Sequence, residues 1–339
     1  MDANRMLKFL HLNQFERDAI LDLVALATRL EAKPEPRALA GRILGLVFMN
    51  PSLRTLASMQ AGMARLGGSS FVITPGQGSW QLETRLGTVM NGVAAEHIRE
   101  GLPVLASYCD VLGIRSFADG KDLEADLADQ KFRAMAELID RPLINLESAI
   151  SHPCQSLADW KTLEDLRIAP HARFVLSWVY HPRALPLAVP ASTLHMAAMR
   201  GMDVVVLRPA GYELPRALMD AASAAARASG GSVSETDDRA SAMRGAQVLY
   251  AKEWGAPSVY GNIEQEKALR GELLDWCVDE SWFATAARDC KLMHCLPVRR
   301  NVAVADAVLD SARSVVLREA YNRLPAQMAV LHRLLSHSP

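Results

Sequence analysis

At 339 residues, with 50% hydrophobic and 22% charged side chains, the chain has the balance of a soluble globular protein. It is too long for one ordinary hydrophobic core, which makes two domains the starting expectation. A formal net charge of −1, without a basic block or an acidic tail, removes the electrostatic case for nucleic acid or an anionic membrane as main partner. A small anionic ligand needs only a local cluster of positive charge.

The first twenty residues, MDANRMLKFLHLNQFERDAI, are interrupted by charge and lack the apolar core of a signal peptide. No stretch reaches the ~20 apolar residues of a membrane span. Five cysteines, Cys109, Cys154, Cys277, Cys290 and Cys295, form no CxxC pair, so a reducing cytoplasm is expected rather than a disulfide framework. Cys290, His294 and Cys295 lie close together, but no second ligand pair completes a tetrahedral zinc set. No metal and no cofactor is expected.

Along the chain, residues 14–31 carry apolar side chains at helical spacing. The short β-branched run ILGLVF (43–48) follows, then a helical stretch at 54–66 and the run SFVIT (70–74). Gly76, Gly78 and Ser79 in TPGQGSW mark a mobile loop. A helix at 96–109 leads to VLGIR (111–115) and PLINLE (142–147). The rhythm repeats with ARFVLSW (172–178), MDVVVLR (202–208), AQVLYA (246–251), DWCVD (275–279) and KLMHC (291–295), closed by a helix at 316–336. Strands alternating with helices predict an α/β protein with two doubly wound parallel-sheet domains, an interdomain cleft and linking terminal helices. The expected domains are 1–150, completed by the C-terminal helix 316–339, and 151–315.

Ligands of open α/β sheets sit at the carboxyl ends of strands, so the residues after each apolar run are the candidates. Ser52, Arg54 and Thr55 follow the first run at an expected helix N-terminus, where free N–H groups, hydroxyls and a guanidinium would hold a phosphate or carboxylate. An N-capping serine beside a solvated arginine is the plainer reading of that segment alone. Arg115 ends the third run, and Glu147 the fourth, with His152 and Gln155 just beyond. A neutral imidazole and a carboxamide are both suitable donors to a carbonyl oxygen. In the second half, His181, Lys252 and the segment HCLPVRRN (294–301) form a second polar, mostly basic rim facing the first. No GxGxxG after a strand, GxxxxGK[ST], HExxH or GxSxG is present, so nothing points to hydride transfer or nucleotide hydrolysis.

Ser52-Leu53-Arg54-Thr55 resembles the S-x-R-T carbamoyl phosphate loop of the aspartate/ornithine carbamoyltransferase family. His152-Pro153-Cys154-Gln155 is similar to that family's HPxQ motif, and His294-Cys295-Leu296-Pro297 to the HCLP motif of its ornithine branch. The motifs occur in family order over nearly the whole chain. In place of the Asp and SMG loop of the branch acting on free ornithine stands YAKEWGAPS, with Lys252 near the expected Asp. This resembles the branch acting on N-acylornithine, in which Trp80 of a neighbouring subunit enters the active site. Acetyl-specific members carry Glu at the position of Ala95 and Lys at that of Ala303, whereas succinyl-specific members carry Pro and a non-lysine.

The resemblance implies a cytoplasmic homotrimer with shared active sites, working in arginine biosynthesis. Carbamoyl phosphate would bind between Ser52, Leu53, Arg54, Thr55, Arg115, His152, Gln155 and a neighbour's Trp80, with Cys295, Leu296 and Arg323 also in contact. Arg54, Thr55, Arg115, His152, Gln155 and Cys295 would be the catalytic set. Glu147, His181, Lys252, Leu296, Arg299 and Ala95 would receive the acylornithine. The expected acceptor is N-succinyl-L-ornithine, giving N-succinyl-L-citrulline and phosphate. The alternatives are N-acetyl-L-ornithine, then ornithine, putrescine or another amine, and a non-catalytic binding protein of the same fold.

Overall fold

The structure, a computed structural model, describes residues 8–336, so the outermost residues of the expected first domain and C-terminal helix (1–7 and 337–339) lie outside it. The first sheet is built from β1 (Lys8–Phe9), β2 (Ile43–Phe48), β3 (Ser69–Ile73), β6 (Val111–Arg115) and β7 (Leu143–Glu147). Between β3 and β6 lies a two-stranded ribbon, β4 (Leu82–Glu83) with β5 (Glu96–His97). The second sheet holds β8 (Arg173–Trp178), β9 (Asp203–Leu207), β10 (Ser232–Thr236), β11 (Val248–Lys252) and β12 (Lys291–Met293). The helices of the first half are α1 (Arg17–Ala32), α2 (Leu53–Arg65), α3 (Ile98–Ser107), α4 (Leu123–Leu127), α5 (Gln130–Glu137) and α6 (Pro153–Asp165). Those of the second are α7 (Ala188–Arg200), α8 (Arg216–Ser229), α9 (Arg239–Met243), α10 (Ile263–Gly271), α11 (Asp306–Leu309) and α12 (Val316–Leu335).

Both large sheets are parallel throughout, in the orders β1-β7-β6-β2-β3 and β10-β9-β8-β11-β12. Strands covered by helices on both faces read as unbroken apolar runs. Accordingly, ILGLVF, VLGIR and LINLE are buried almost end to end. Gly45 is the one small residue in β2 because a Cβ there would come within 2.8 Å of Leu112 and Phe71.

The strand order decides where the site lies. From β2 the chain winds outward to β3, then returns to lay β6 on the other side of β2. From β8 it winds through β9 to β10, then returns to lay β11 on the other side of β8. Each sheet thus has a switch point, and a crevice opens at the carboxyl ends of the strands flanking it. Those ends carry Ser52–Thr55 and Arg115 in one sheet, and His181 and Lys252 in the other.

Two expectations are corrected. DWCVD (275–279) is not a strand: Val278 makes only an isolated bridge to Val304, and the Trp276 carbonyl accepts the Tyr180 N–H at 2.9 Å. Its apolar content is explained by Trp276 packing edge-on against Trp178 and Trp282, with ring centroids 5.8 and 6.0 Å away. Conversely SVSET (232–236), too polar to be read as a strand, is the edge strand β10, exposed on alternate residues.

Helix α6 is buried along nearly its whole length and packs on α12, α7 and α1. On it, Lys161 is fully buried, reaching Glu31 of α1 at 2.6 Å and Asp165 at 3.0 Å, both of which also meet Arg318 of α12. Asn322 of α12 adds hydrogen bonds to Thr162 and Asp165 at 2.8 and 2.9 Å. Replacing Lys161 with Met leaves two carboxylates sharing one cation and is expected to cost about 2–4 kcal/mol. Urea unfolding reads this, and a loss below about 0.5 kcal/mol would show that Arg318 alone balances both carboxylates.

Candidate active site

Helix α2 begins where β2 ends because Ser52 caps it, its Oγ accepting the Thr55 N–H at 3.2 Å. Its buried residues Thr55, Met59, Gly62 and Met63 repeat at helical spacing and fix which side faces the core. The first turn of α2, with its free amides and the positive end of the helix dipole, lies at the cleft, where Ser52 and Arg54 line the cavity. Arg54 stands there half-buried, its side chain making no hydrogen bond or ion pair among the described residues and its Nε enclosed without a partner. Burial foremost, and the nearby Arg115 cation, lower its pKa.

Thr55 is fully buried and receives the Arg323 guanidinium on Oγ1 at 2.7 Å. The other end of that guanidinium donates to Gln155 Oε1 at 2.9 Å. Arg323 is buried and meets no carboxylate among the described residues; burial, then Arg115 and Arg54, lower its pKa. Arg115 is held by an ion pair to Glu147 and lies over the Phe117 ring, 4.5 Å from its centroid.

His152 caps α6 ahead of Pro153, its backbone N–H given to Ser192 Oγ at 2.8 Å. Its Nε2 lies 3.4 Å from Glu147, and its Nδ1 has no partner among the described residues. Burial first, then Arg323, Arg115 and Arg54, hold its pKa well below the usual histidine value, so the ring is neutral. Gln155 gives Nε2 to Asp159 Oδ1 at 2.8 Å and to Glu319 Oε1 at 3.4 Å. This corrects the expectation that its carboxamide donates to a carbonyl: both N–H groups are taken, and only the oxygen has spare capacity.

On the opposite rim, burial opposes charge on Lys252, but the carboxylates of Glu253, at 3.4 Å, and Glu147 help raise its pKa. Glu253 also accepts from His294 Nε2 at 3.2 Å, while His294 Nδ1 accepts the Leu296 N–H at 2.9 Å. Burial disfavours the Glu253 carboxylate, yet Lys252 and His294 hold its pKa well below the usual range. These contacts shape the turn in which Leu296 takes φ +54° before a cis peptide bond to Pro297. Burial pushes the Cys295 thiol up to about 12, so it is a neutral group rather than a nucleophile. His181 Nε2 accepts from Arg299 Nε at 2.9 Å, and its Nδ1 sits against the Arg183 backbone, 3.0 Å from the N–H and 2.9 Å from the carbonyl.

The two rims enclose a cavity of about 240 Å3, lined by Ser52, Arg54, Arg115, Glu147, His152, Gln155, His181, Lys252, Cys295, Leu296 and Arg323. Thr55 lies behind Arg323, and Arg299 behind His181. Three predicted residues are elsewhere. Leu53 turns its side chain outward, 81% exposed, and does not line the cavity. Trp80, 60% exposed, donates Nε1 to Glu96 at 2.8 Å on the β4–β5 ribbon, beside the exposed Ala95. Phe117, Asp159, Glu253 and Glu319 were missed by sequence reasoning. The i to i+4 spacing of Gln155 with Asp159, and of Glu319 with Arg323, was the available signal.

A larger cavity of about 470 Å3 adjoins the cleft, sharing Leu185 and Pro186. Its buried charges Glu266 and Arg270 pair with each other at 2.7 Å. Among the described residues, no group of three or more His, Cys, Asp or Glu is placed to hold a metal ion, and no helix is long and apolar enough to cross a membrane.

A cationic cleft between two parallel sheets, at the switch point of each, fits binding of an anionic, phosphate-bearing ligand. The family model for the carbamoyl-phosphate-binding domain of aspartate/ornithine carbamoyltransferases matches residues 8–165, and that for the Asp/Orn-binding domain matches 188–334. The chain belongs to the aspartate/ornithine carbamoyltransferase family. It is a carbamoyltransferase of the N-acylornithine branch. N-acetylornithine carbamoyltransferase of Xanthomonas campestris pv. campestris is 41% identical over 327 residues, covering 95% of each chain. N-succinylornithine carbamoyltransferase of Bacteroides thetaiotaomicron is 36% identical over 296 residues, covering 87% of each. Among solved structures, an N-acetyl-L-ornithine transcarbamylase bearing a glutamate-to-alanine substitution, complexed with carbamyl phosphate and N-succinyl-L-norvaline, has a TM-score of 0.93. It is 39% identical and covers 97% of this chain and 99% of its own. An acetylornithine transcarbamylase complexed with acetylcitrulline has a TM-score of 0.92, with coverage of 96% and 98%.

The neutral state of His152 has a kinetic consequence. Because its pKa is depressed, it gains a proton only well below the usual 6.5. The pH profile of kcat/KM should therefore carry no inflection near 6.5 that His152→Gln abolishes. Such an inflection, lost in the variant, would contradict the assignment of a neutral ring.

Proposed function

We propose that the enzyme transfers the carbamoyl group of carbamoyl phosphate to the δ-amine of N-succinyl-L-ornithine, giving N-succinyl-L-citrulline and phosphate. The observation that carries the donor assignment is the unpaired Arg54 guanidinium at the N-terminus of α2, within the cavity that also holds Arg115, His152 and Gln155. The phosphate rests on the α2 amides and Arg54. The carbamoyl carbonyl faces Arg115 and His152, and its NH2 faces Gln155 Oε1, the acceptor in reach. In this reading the first half of the chain and α12 hold the donor, and the second half holds most of the acceptor, whose acyl end meets Ala95 of a neighbour.

The δ-amine lone pair attacks the carbonyl carbon, and the oxyanion so formed is matched by donors already in place. The intermediate collapses with cleavage of the C–O bond to phosphate. The proton lost by the amine leaves on the product phosphate as HPO4 2−, so charge balances without a cofactor. Cys295 and the Leu296 carbonyl orient the amine. No covalent enzyme intermediate is needed, since the nucleophile is an amine held beside the carbonyl.

The succinyl assignment rests on charge. The extra carboxylate of a succinyl group would be repelled by a glutamate at position 95, and Ala95 leaves neither charge nor bulk. The relative crystallised with N-succinyl-L-norvaline carries alanine in place of a glutamate, and our correspondence puts Ala95 at that position. Ala303, fully buried, supplies no cation. The two terminal nitrogens of Arg299 have no partner among the described residues and can take a carboxylate. Ala95 and Trp80 lie on one exposed ribbon, outside the cleft of their own chain, which fits their serving a neighbour's cleft in a homotrimer. The setting we propose is the cytoplasm and arginine biosynthesis. The second reading, N-acetyl-L-ornithine as acceptor, is favoured by the higher identity to N-acetylornithine carbamoyltransferases.

Citrulline-type product formed from carbamoyl phosphate and, separately, ornithine, N-acetylornithine, N-succinylornithine and putrescine decides between them. N-succinylornithine should give the highest kcat/KM, and preference for N-acetylornithine would establish the second reading. Ala95→Glu should lower the succinyl-to-acetyl ratio by about 10-fold or more, the effect of one like-charge contact. An unchanged ratio would mean that the acyl group lies away from residue 95.

A further inference from the structure

The strongest cluster that the proposed mechanism leaves unused lies directly beneath it. Asp159 of α6 and Glu319 of α12 are both fully buried, and both accept from the same Gln155 Nε2, at 2.8 and 3.4 Å. Two bare carboxylates do not lie together in a dry site, so one proton is held between them. Burial, above all, raises both pKa values, Asp159 to about 7 and Glu319 well above its usual value, with Asp159 itself pushing Glu319 further up.

The remaining contacts of the pair are few and directional. Asp159 Oδ2 accepts the Tyr250 hydroxyl at 3.1 Å, and Glu319 Oε2 accepts the His294 N–H at 2.8 Å. The other oxygen of each faces Gln155 Nε2. On the far side of the same carboxamide, Arg323 donates to Oε1. A flipped amide would set its NH2 against a guanidinium and its oxygen against the acidic pair. The acids behind and the guanidinium beside thus permit one orientation only, in which the cleft is offered an acceptor.

A carbamoyl group has two faces of nearly equal size, an oxygen and an NH2, and shape alone distinguishes them poorly. We propose that Asp159 and Glu319 are positioning residues: by sharing a proton they lock the Gln155 amide with its oxygen toward the cleft, and so select which way the carbamoyl group lies. The inference rests on carbamoyl phosphate being the donor, as argued above. With the amide reversed, an N–H would attract the carbonyl oxygen away from Arg115 and His152, and the carbon would be held without its activating donors.

The test is steady-state kinetics of Asp159→Leu and Glu319→Gln, with inorganic phosphate as a competitive probe of the phosphate subsite alone. Asp159→Leu removes the acceptor that fixes Gln155 and should lower kcat by about 100-fold, the size of effect produced by a small misplacement of a reacting group. The inhibition constant of phosphate should stay within about twofold, since Arg54 and the α2 amides are untouched. Glu319→Gln mimics the protonated partner, and its loss should be no more than about threefold.

Wild-type kcat in Asp159→Leu overturns the proposal. So does a phosphate inhibition constant that worsens in step with kcat, which would mark a merely structural role. Should Asp159→Leu not fold, infrared spectroscopy of the wild type decides: a protonated-carboxyl C=O stretch at neutral pH, absent in Glu319→Gln, is required, and its absence overturns the shared proton. A wild-type protein that transfers no carbamoyl group to any of the four amines fails the functional reading instead.

Discussion

A buried guanidinium without a carboxylate partner holds the cleft in its shape. Arg323 comes from the last helix, α12, yet donates to Thr55 at the start of α2 and Gln155 in the first turn of α6. Three segments separated by a hundred residues or more are thereby fixed around one polar point. Taking an arginine out of water is costly, and neutral acceptors repay only part of that cost. With Arg54 also unpaired and Arg115 answered by Glu147 alone, the cleft holds more positive than negative charge at its surface. An anion entering it is stabilised without any rearrangement of donors, the condition under which electrostatic catalysis is strongest.

The second rim is organised differently. Here the cations are already answered: Lys252 by Glu253, and Arg299 in part by His181. This side does not demand a dianion. It offers a graded set of contacts, from the neutral thiol of Cys295 to the open nitrogens of Arg299, suited to a zwitterionic or acylated amino acid. On the proposed function the two rims divide the chemistry, with strong fixed charge for the donor and adaptable polar contacts for the acceptor.

Most of the fold was legible because its physics is local. ILGLVF, VLGIR and VVVL are strands since parallel, doubly covered strands must be apolar throughout, and the helices between them show regular spacing. The failures have the same origin. SVSET is an edge strand whose exposed residues hide its pattern, and DWCVD is apolar because it fills a tryptophan cluster rather than a ladder. For the site, strand ends found Arg54, Arg115, His152 and Lys252, since the switch points of both sheets place these tips in one crevice. The i to i+4 spacing hinted that Asp159 meets Gln155, but nothing in a sequence says that Glu319, far away in the chain, joins them. The direction of the Gln155 amide was out of reach for the same reason: it is set by Asp159 of its own helix together with Glu319 and Arg323 of α12.

The central claim is that the unpaired cation at the start of α2 is the anchor of the donor's phosphate. Calorimetric titration of carbamoyl phosphate into the wild type and Arg54→Ala tests it most directly. One charge-assisted contact is worth roughly 1.5–3 kcal/mol, so the variant should bind about 10- to 150-fold more weakly while its thermal unfolding is unchanged. Equal affinity in the two proteins would contradict the account.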